Sequence, residues 1–197
     1  LKQNMSNEQV FDVGVEMRLK LIESIVRSEI TSKVVTYDVT NDNHSGSFGY
    51  YVSSAVKKVC NKLYNSEIIE CNILKKFLDH YTYGDHCFIL THGKDREYMK
   101  NGLPVTINAK VESLIRDYID HHGIKSNYIQ LNKGDSHQIG YTRCKKFEYL
   151  SFGSFAPPSG YIQTNYGDCY SSYSIQVVPK NSSNYSNTNY FLNYEKR

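Results

Sequence analysis

Three short polar clusters carry the side chains that could do chemistry in this sequence. Each combines a histidine with Asn or Asp and follows a stretch typical of a β-strand: Asn41–His44, Thr91–Asp95 and Gly134–His137. Imidazole, carboxylate and amide groups together suit Mn, Zn, Fe or Mg rather than a thiolate site. Loops at the carboxyl ends of strands are where α/β folds usually bind ligands. The clusters therefore predict a divalent-metal site, although each cluster alone is also explained as a simple turn.

An alternation of strands and helices positions these clusters. Hydrophobic periodicity and capping signals predict strands at Lys33–Tyr37, Cys87–Leu90 and Tyr128–Leu131, and helices at Ser6–Ile30, Tyr50–Tyr64 and Thr106–His121. Strands alone follow, at Phe147–Phe152 and Ser172–Val178. This order predicts an α/β layered domain in which helices cover a central sheet.

Two further segments complete the predicted organisation. Leu74–Tyr81 is interpreted as a short helix or a single helical turn. Residues 1–180 are predicted to form one domain. The remaining residues, 181–197, are rich in Asn, Ser and Tyr, so we expect a loosely packed tail or a docking arm there.

Composition bounds the class of protein. The chain has 197 residues, 40% hydrophobic and 22% charged, with a formal net charge of +3. This charge is too weak to argue for nucleic-acid binding by itself. No apolar run approaches the roughly 18 residues of a membrane span, so no membrane partner is expected. Five cysteines without CxxC spacing indicate a reducing compartment, hence the cytoplasm of a bacterial or phage-infected cell, or a virion, given the Asn-, Lys-, Ile- and Tyr-rich composition.

The order of the motifs resembles that of the calcineurin-like metallophosphoesterases. That family reads Gly-Asn-His-Asp/Glu, then His-Gly, then Gly-His-x-His, and often a Gly-Ser turn. The matching residues here are Asn43-His44, His92-Gly93, Gly134 with His137, and Gly153-Ser154. The resemblance covers about residues 34–178, the C-terminal two-thirds of such a domain. It implies a layered β-sandwich flanked by helices and a two-metal site that hydrolyses phosphoesters.

The resemblance implies a role for each matching residue. Asn43 corresponds to the amide ligand of the second metal, and His92 corresponds to another ligand of that metal. His137 corresponds to a histidine ligand of the first metal. Asp135 stands where the motif has its first histidine, and a carboxylate can also bind a hard divalent ion. His44 corresponds to the catalytic histidine that assists the leaving group or steadies the transition state.

The sequence departs from the family pattern in three places. Asp42 replaces the Gly before Asn43, and Ser45 replaces the acidic residue that often follows the histidine. The family's Asp-x-His and Gly-Asp-x-x-Asp motifs are missing before Asn43, where Asp12 and Asp38 lack the motif context. Those motifs supply the carboxylate that bridges two metals. We therefore expect an incomplete site that needs an N-terminal segment from another chain or from outside this sequence.

Three functional interpretations stay open at this point. The first is a metal-dependent phosphoesterase acting on a phosphomonoester or a phosphodiester, including nucleic acid. It would use two divalent ions, of which this chain binds both or only one, together with a complementing N-terminal chain. The second is a catalytically inactive structural or interaction protein on the same scaffold. The third is an unrelated α/β binding domain whose motif order is a coincidence.

Overall fold

The chain divides into two compact units, Leu1–Lys76 and Phe77–Arg197, each of which is described by itself. The computed structural model describes residues 5–40, 42, 46–94, 101–157, 164, 169 and 171–192. The extent of a single domain over residues 1–180 stays a prediction.

The first unit is built around a parallel pair of strands. Helix α1 (Asn7–Arg27) precedes strand β1 (Val34–Val39), and helix α2 (Ser47–Leu63) connects β1 to its parallel partner β2 (Ile69–Leu74). The helices pack on the strands through one hydrophobic core, whose buried residues are Ile22, Val56, Cys60, Ile69 and Cys71. This is a β-α-β crossover, the connection that parallel strands require.

Helix α1 begins where the sequence predicts it. The Ser6 side chain accepts a hydrogen bond from the Gln9 amide at 3.3 Å, while Gln9 Oε1 accepts one from the Ser6 amide at 2.9 Å. This reciprocal capping box satisfies two N–H groups that have no partner within the helix. Further along α1, the Arg18 guanidinium contacts Asp38 of β1 at 3.0 Å and Ser53 of α2 at 2.7 Å. One side chain thus joins three elements of the unit.

The second unit contains a five-stranded mixed sheet. Its strands are β3 (Asp79–Tyr83), β4 (His86–Thr91), β5 (Tyr128–Lys133), β6 (Gly140–Arg143) and β7 (Glu148–Ser151). Their order across the sheet is β3-β4-β5-β7-β6. The three central strands are parallel, and the two edge strands run antiparallel to their neighbours. Parallel strands at the centre leave their carboxyl ends side by side at one edge.

Helix α3 (Ala109–His121) connects β4 to β5 and covers one face of this sheet. It begins at Asn108, whose side chain accepts a hydrogen bond from the Val111 amide at 3.0 Å. The buried core between helix and sheet is formed by Val111, Ile115 and Ile119 of α3 against Cys87, Ile89, Ile129, Leu131 and Tyr149 of the strands. Because side chains alternate along a strand, the intervening residues of β4 and β5 lie on the opposite face.

The last two strands form an antiparallel hairpin. Strand β8 (Ser172–Val177) pairs with β9 (Ser186–Phe191) along its whole length. The segment expected to be a loose tail therefore contains a regular strand. The sequence does not predict β9, because its residues are mostly Asn, Ser and Thr and show no alternation of apolar and polar side chains.

One other prediction about secondary structure is wrong, and one strand was not predicted. Leu74–Tyr81, interpreted as a short helix or turn, contains the end of β2 and the start of β3. The tight turn at Gly84-Asp85 pairs β3 with β4, and this pairing overrides the weak local helical pattern. Strand β6 was not predicted, because four residues are too few for an alternation to stand out.

The α/β class is confirmed, with a mixed central sheet and helices packed on the strands. Over the part of the chain that is described, no helix is both long and apolar enough to cross a membrane. All five cysteines are described and no disulfide joins them; four are buried and Cys144 is half-buried.

Candidate functional site

Two of the predicted polar loops begin side by side at the carboxyl edge of the sheet. Strands β4 and β5 are parallel and paired up to Thr91 and Lys133, their last residues. The Gly134 amide then donates a hydrogen bond to the Thr91 carbonyl at 3.4 Å. The loops that follow therefore leave neighbouring strands at the same level, as expected for a ligand site in an α/β sheet.

His92 and Asp135 meet across these two loops. The distance from His92 Nε2 to Asp135 Oδ1 is 3.6 Å, and the side chains are 22% and 12% exposed. Burial raises the pKa of Asp135, but the approach of His92 and the charges of Lys133 and Lys94 outweigh burial, so the net pKa is lowered. The carboxylate is thus held in its ionised form, the form that binds a cation.

The loop after β5 holds Asp135 in a strained backbone conformation. Asp135 has a φ of +66°, and the amide of Ser136 donates to the carbonyl of Gly134 at 2.9 Å, which closes a three-residue turn around it. His137 also has a positive φ, of +56°. Positive φ angles are uncommon for residues other than Gly, and such strain concentrates at functional sites.

Two glycines leave space around the Asp135 carboxylate. Gly93 and Gly102 have φ angles of +101° and +70°. A Cβ at Gly102 would lie 3.1 Å from Asp135 Oδ2, and one at Gly93 would lie 3.5 Å from Asp135 Cβ. The positive φ favours glycine at both positions, and at Gly102 an added Cβ would also be tight against the carboxylate. The Leu103 amide ties these segments together by donating to the Gly93 carbonyl at 2.6 Å.

A buried lysine lies next to this loop. Lys133 is 1% exposed, and its Nζ donates to the Leu103 carbonyl at 2.9 Å and to Ser136 Oγ at 2.8 Å. Ser136 Oγ lies 3.1 Å from Ser151 Oγ, and the Ser151 hydroxyl donates to the Gln138 carbonyl at 2.7 Å. Because the Ser151 hydroxyl donates its proton to the Gln138 carbonyl, Ser136 must be the donor in its bond to Ser151. The chain of donors therefore runs from Lys133 through Ser136 and Ser151 to the Gln138 carbonyl.

Burial lowers the pKa of Lys133 to about 8, against the opposing effect of Asp135. Sequence reasoning missed this residue. The signal was present: in a strand of period two, Lys133 shares a face with Ile129 and Leu131, both of which lie in the core. An ammonium on that face has to find partners within the protein, and it finds a carbonyl and a hydroxyl.

The predicted site residues are distributed unevenly. His92 and Asp135 are brought together, and His137 follows on the same loop as Asp135. Asn43 and His44 lie outside the described residues. Among the residues that the structure does describe, no three His, Cys, Asp or Glu side chains are grouped closely enough to hold one metal ion.

The His92–Asp135 pair fits part of a metal site. Two ligands of one tetrahedral zinc ion lie roughly 3.4 Å apart, since each is about 2.1 Å from the metal. The observed 3.6 Å separation is close to this value. Imidazole with carboxylate is also a donor set that Mn and Zn accept. The two residues therefore fit a divalent ion as part of its ligand set.

Comparison with known proteins adds no family to this picture. No family model and no curated protein matches the chain. Two solved structures are similar in chain path. A single mutant of Vps29 from Entamoeba histolytica has 9% identity and a TM-score of 0.41, over 87% of this chain and 89% of that one. A double mutant of the same protein has 9% identity and a TM-score of 0.40, over 88% and 89%. Vps29 has a calcineurin-like metallophosphoesterase fold, but at these TM-scores the likeness carries no argument about family or activity.

Proposed function

We propose that this chain is a metal-dependent phosphoesterase in which His92 and Asp135 provide two ligands for one divalent ion. The resemblance assigns His92 to the second metal and does not fix the metal of Asp135. The observation that supports the proposal is their 3.6 Å approach across two loops, since each residue was selected from a different motif. His137, Asn43 and His44 are the further residues assigned to the site by the resemblance. The carboxylates of the missing motifs would come from an N-terminal segment on another chain or outside this sequence.

The described residues have definite tasks in this proposal. Asp135 is ionised at neutral pH because its pKa is lowered, and its strained turn fixes the direction of the carboxylate. Gly102 keeps the Asp135 carboxylate uncrowded, because any larger residue there would place a Cβ 3.1 Å from Oδ2. A divalent ion, when bound, would polarise the phosphoryl group and activate a water molecule for attack on phosphorus. His44 would give a proton to the leaving oxygen.

A second function, a non-catalytic interaction domain on the same scaffold, is favoured by one specific observation. The buried Lys133 places a positive charge near Asp135, two residues away, and this charge helps to lower the pKa of Asp135. The carboxylate is therefore partly compensated by the protein itself. A divalent cation brought to Asp135 would also be repelled by the ammonium.

Metal content and hydrolysis, measured together, separate the two functions. The whole chain would be loaded with Mn²⁺, desalted, and assayed for bound metal and for cleavage of bis(p-nitrophenyl) phosphate. The variants would be His92→Ala and Asp135→Asn, because Asn tolerates the positive φ at residue 135. His121→Ala, at the exposed end of α3, is the matched control.

We expect retained Mn²⁺ in the wild type and in the control, and affinity reduced by at least about tenfold in the two site variants. Retention without hydrolysis would call for repeating the assay with the complementing N-terminal segment. A wild-type chain that retains no metal, with variants that behave identically, would refute the metal site and leave the interaction domain.

A further inference from the structure

A preformed cavity lies on the face of the sheet opposite α3. Its volume is about 350 Å³, within the range of small-molecule sites. The floor comes from β4, β5 and β7, through residues such as Phe88, Tyr128 and Gln130. One wall is formed by the segment between β8 and β9, from Val178 to Tyr185. The cavity is near the starts of the strands, whereas the His92–Asp135 pair follows their ends.

Hydrogen bonds fix the wall of this cavity in place. His86 Nε2 lies 3.0 Å from the Pro179 carbonyl and 2.8 Å from the Ser182 carbonyl. Both are acceptors, so Nε2 carries the proton that it donates. The Asp85 amide adds a bond to the Lys180 carbonyl at 3.0 Å. The wall is therefore held by the β3–β4 turn and the start of β4, and a ligand would not have to order it.

The carboxylate inside the cavity is already satisfied by the protein. Glu148 Oε1 accepts from the Tyr141 hydroxyl at 3.0 Å, and Oε2 accepts from the Tyr185 hydroxyl at 2.6 Å. Burial first, and then Glu148, raise the pKa of Tyr185, so the phenol keeps its proton and remains a donor. Glu148 consequently has little capacity to attract a cationic ligand.

Gln130, in contrast, presents an unused donor. Its side chain is 7% exposed, and its Nε2 has no hydrogen-bond acceptor within the described part of the chain. The amide lies near enough to Tyr185 to lower the pKa of that phenol, yet no hydrogen bond of good geometry joins them. Buried amide groups without partners are rare because they lose hydrogen bonds to water. The nitrogen itself is buried, so a ligand acceptor would satisfy it once the amide turns toward the cavity.

The mouth of the cavity is positively charged. Arg143, Lys145 and Lys146 line it and all three are exposed. Lys146 Nζ is bonded to Asp120 at 2.8 Å, whereas no ion pair of Arg143 or Lys145 is found among the described residues. Guanidinium and ammonium groups together favour a phosphate, which Arg can bind through two parallel hydrogen bonds.

We propose that this cavity binds a nucleoside monophosphate. Its base would lie against the aromatic cluster at the floor of the cavity, in which Phe88 stacks on Tyr81 and on His86, and Tyr128 lies against His86. The Gln130 amide, which has both donor and acceptor atoms, would contact the polar edge of the base. The phosphate would face Arg143 and Lys145. The site is separate from the proposed metal site and does not depend on hydrolysis.

Isothermal titration with AMP, GMP, CMP and UMP tests this proposal, with inorganic phosphate as the comparison ligand and EDTA present throughout. The protein would be the whole chain, and the variants Gln130→Leu and Arg143→Gln. Lys110→Gln is the control, because Lys110 is an exposed cation on α3, which packs on the opposite face. Thermal unfolding of each variant checks that it is folded.

We expect at least one nucleotide to bind, and each cavity variant to weaken that binding by about tenfold or more. Lys110→Gln should bind like the wild type. The proposal is overturned if none of the four nucleotides binds at millimolar concentration, or if phosphate alone binds as tightly. Loss of binding in His92→Ala would place the ligand at the other edge of the sheet. If Gln130→Leu does not fold, the exposed Arg143→Gln variant decides the question.

Discussion

Replacing Lys133 with Met removes a buried ammonium while keeping a side chain of similar length. The wild-type amine is 1% exposed and has the Leu103 carbonyl and Ser136 Oγ as acceptors. The substitution has opposing effects at neutral pH. It abolishes the cost of burying the charge, but it leaves both acceptors without their donor, at about 1–3 kcal/mol for each buried group. These effects oppose each other, so the net change at one pH does not identify the lysine, whereas the pH dependence is distinctive.

The magnitude follows from the pKa of Lys133. Burial lowers it from 10.5 to about 8. Between these values the unfolded chain binds more protons than the folded chain, so the free energy of unfolding rises with pH. The full change is about 3 kcal/mol, since one pKa unit is worth about 1.4 kcal/mol. Between pH 7 and pH 10 the wild type should recover roughly 2.5 kcal/mol of stability through this residue.

Other groups act in the opposite direction over this range. Burial raises the pKa of Cys60 and of Cys87 to about 11, so the folded state keeps those protons longer and loses stability as the pH rises. Both proteins share these cysteines. The difference between wild type and Lys133→Met, measured by urea unfolding with circular dichroism at pH 7, 8.5 and 10, isolates the lysine. If the free energies of unfolding of the two proteins differ by the same amount at all three pH values, to within about 0.5 kcal/mol, the assignment of a strongly lowered pKa to Lys133 is refuted.

Two further predictions concern the backbone. Ser6→Ala removes the capping box of α1 and should destabilise the first unit by about 1 kcal/mol in urea unfolding, and no effect would show that the cap is dispensable. Gly84→Ala should cost more than about 2 kcal/mol, because an added Cβ at a φ of +57° would collide with the Lys180 carbonyl. Gly123→Ala is its matched control, with a φ of +61° and no neighbour within 4 Å, and should cost only about 1 kcal/mol. Equal costs for the two glycines would contradict the close approach at Gly84.

Where local chemistry determines an element, the sequence predicts it well. The Ser6 capping box fixes the start of α1, and the continuous apolar run Cys87–Leu90 identifies β4. Helix α3 begins at Ala109, after the Asn108 cap, rather than at the predicted Thr106. Where pairing with a distant strand determines the element, the sequence fails. Strands β3, β6 and β9 contain few apolar residues and are defined by their neighbours in a sheet, which no local window contains.

The candidate site was predictable to the same extent. His92 and Asp135 could be named because strand ends were recognisable, and parallel pairing of β4 with β5 then brings them together. The buried environment of Lys133 and the cavity around Gln130 could not be named. Both depend on which elements cover the two faces of β5. Helix α3 covers one face and the segment between β8 and β9 lies over the other, and neither arrangement can be recognised from the local sequence of β5. The roles of all five predicted site residues stay predictions: Asn43, His44, His92, Asp135 and His137.

The uneven burial of the cysteines has a practical consequence. Cys60, Cys71, Cys87 and Cys169 are buried, whereas half-buried Cys144 lines the cavity. A maleimide dye should therefore attach to the folded chain first at Cys144. Burial and Glu112 raise the pKa of this thiol, so a mildly alkaline buffer would speed the coupling. The native sequence thus offers a single-dye reporter beside the cavity without removal of any other cysteine.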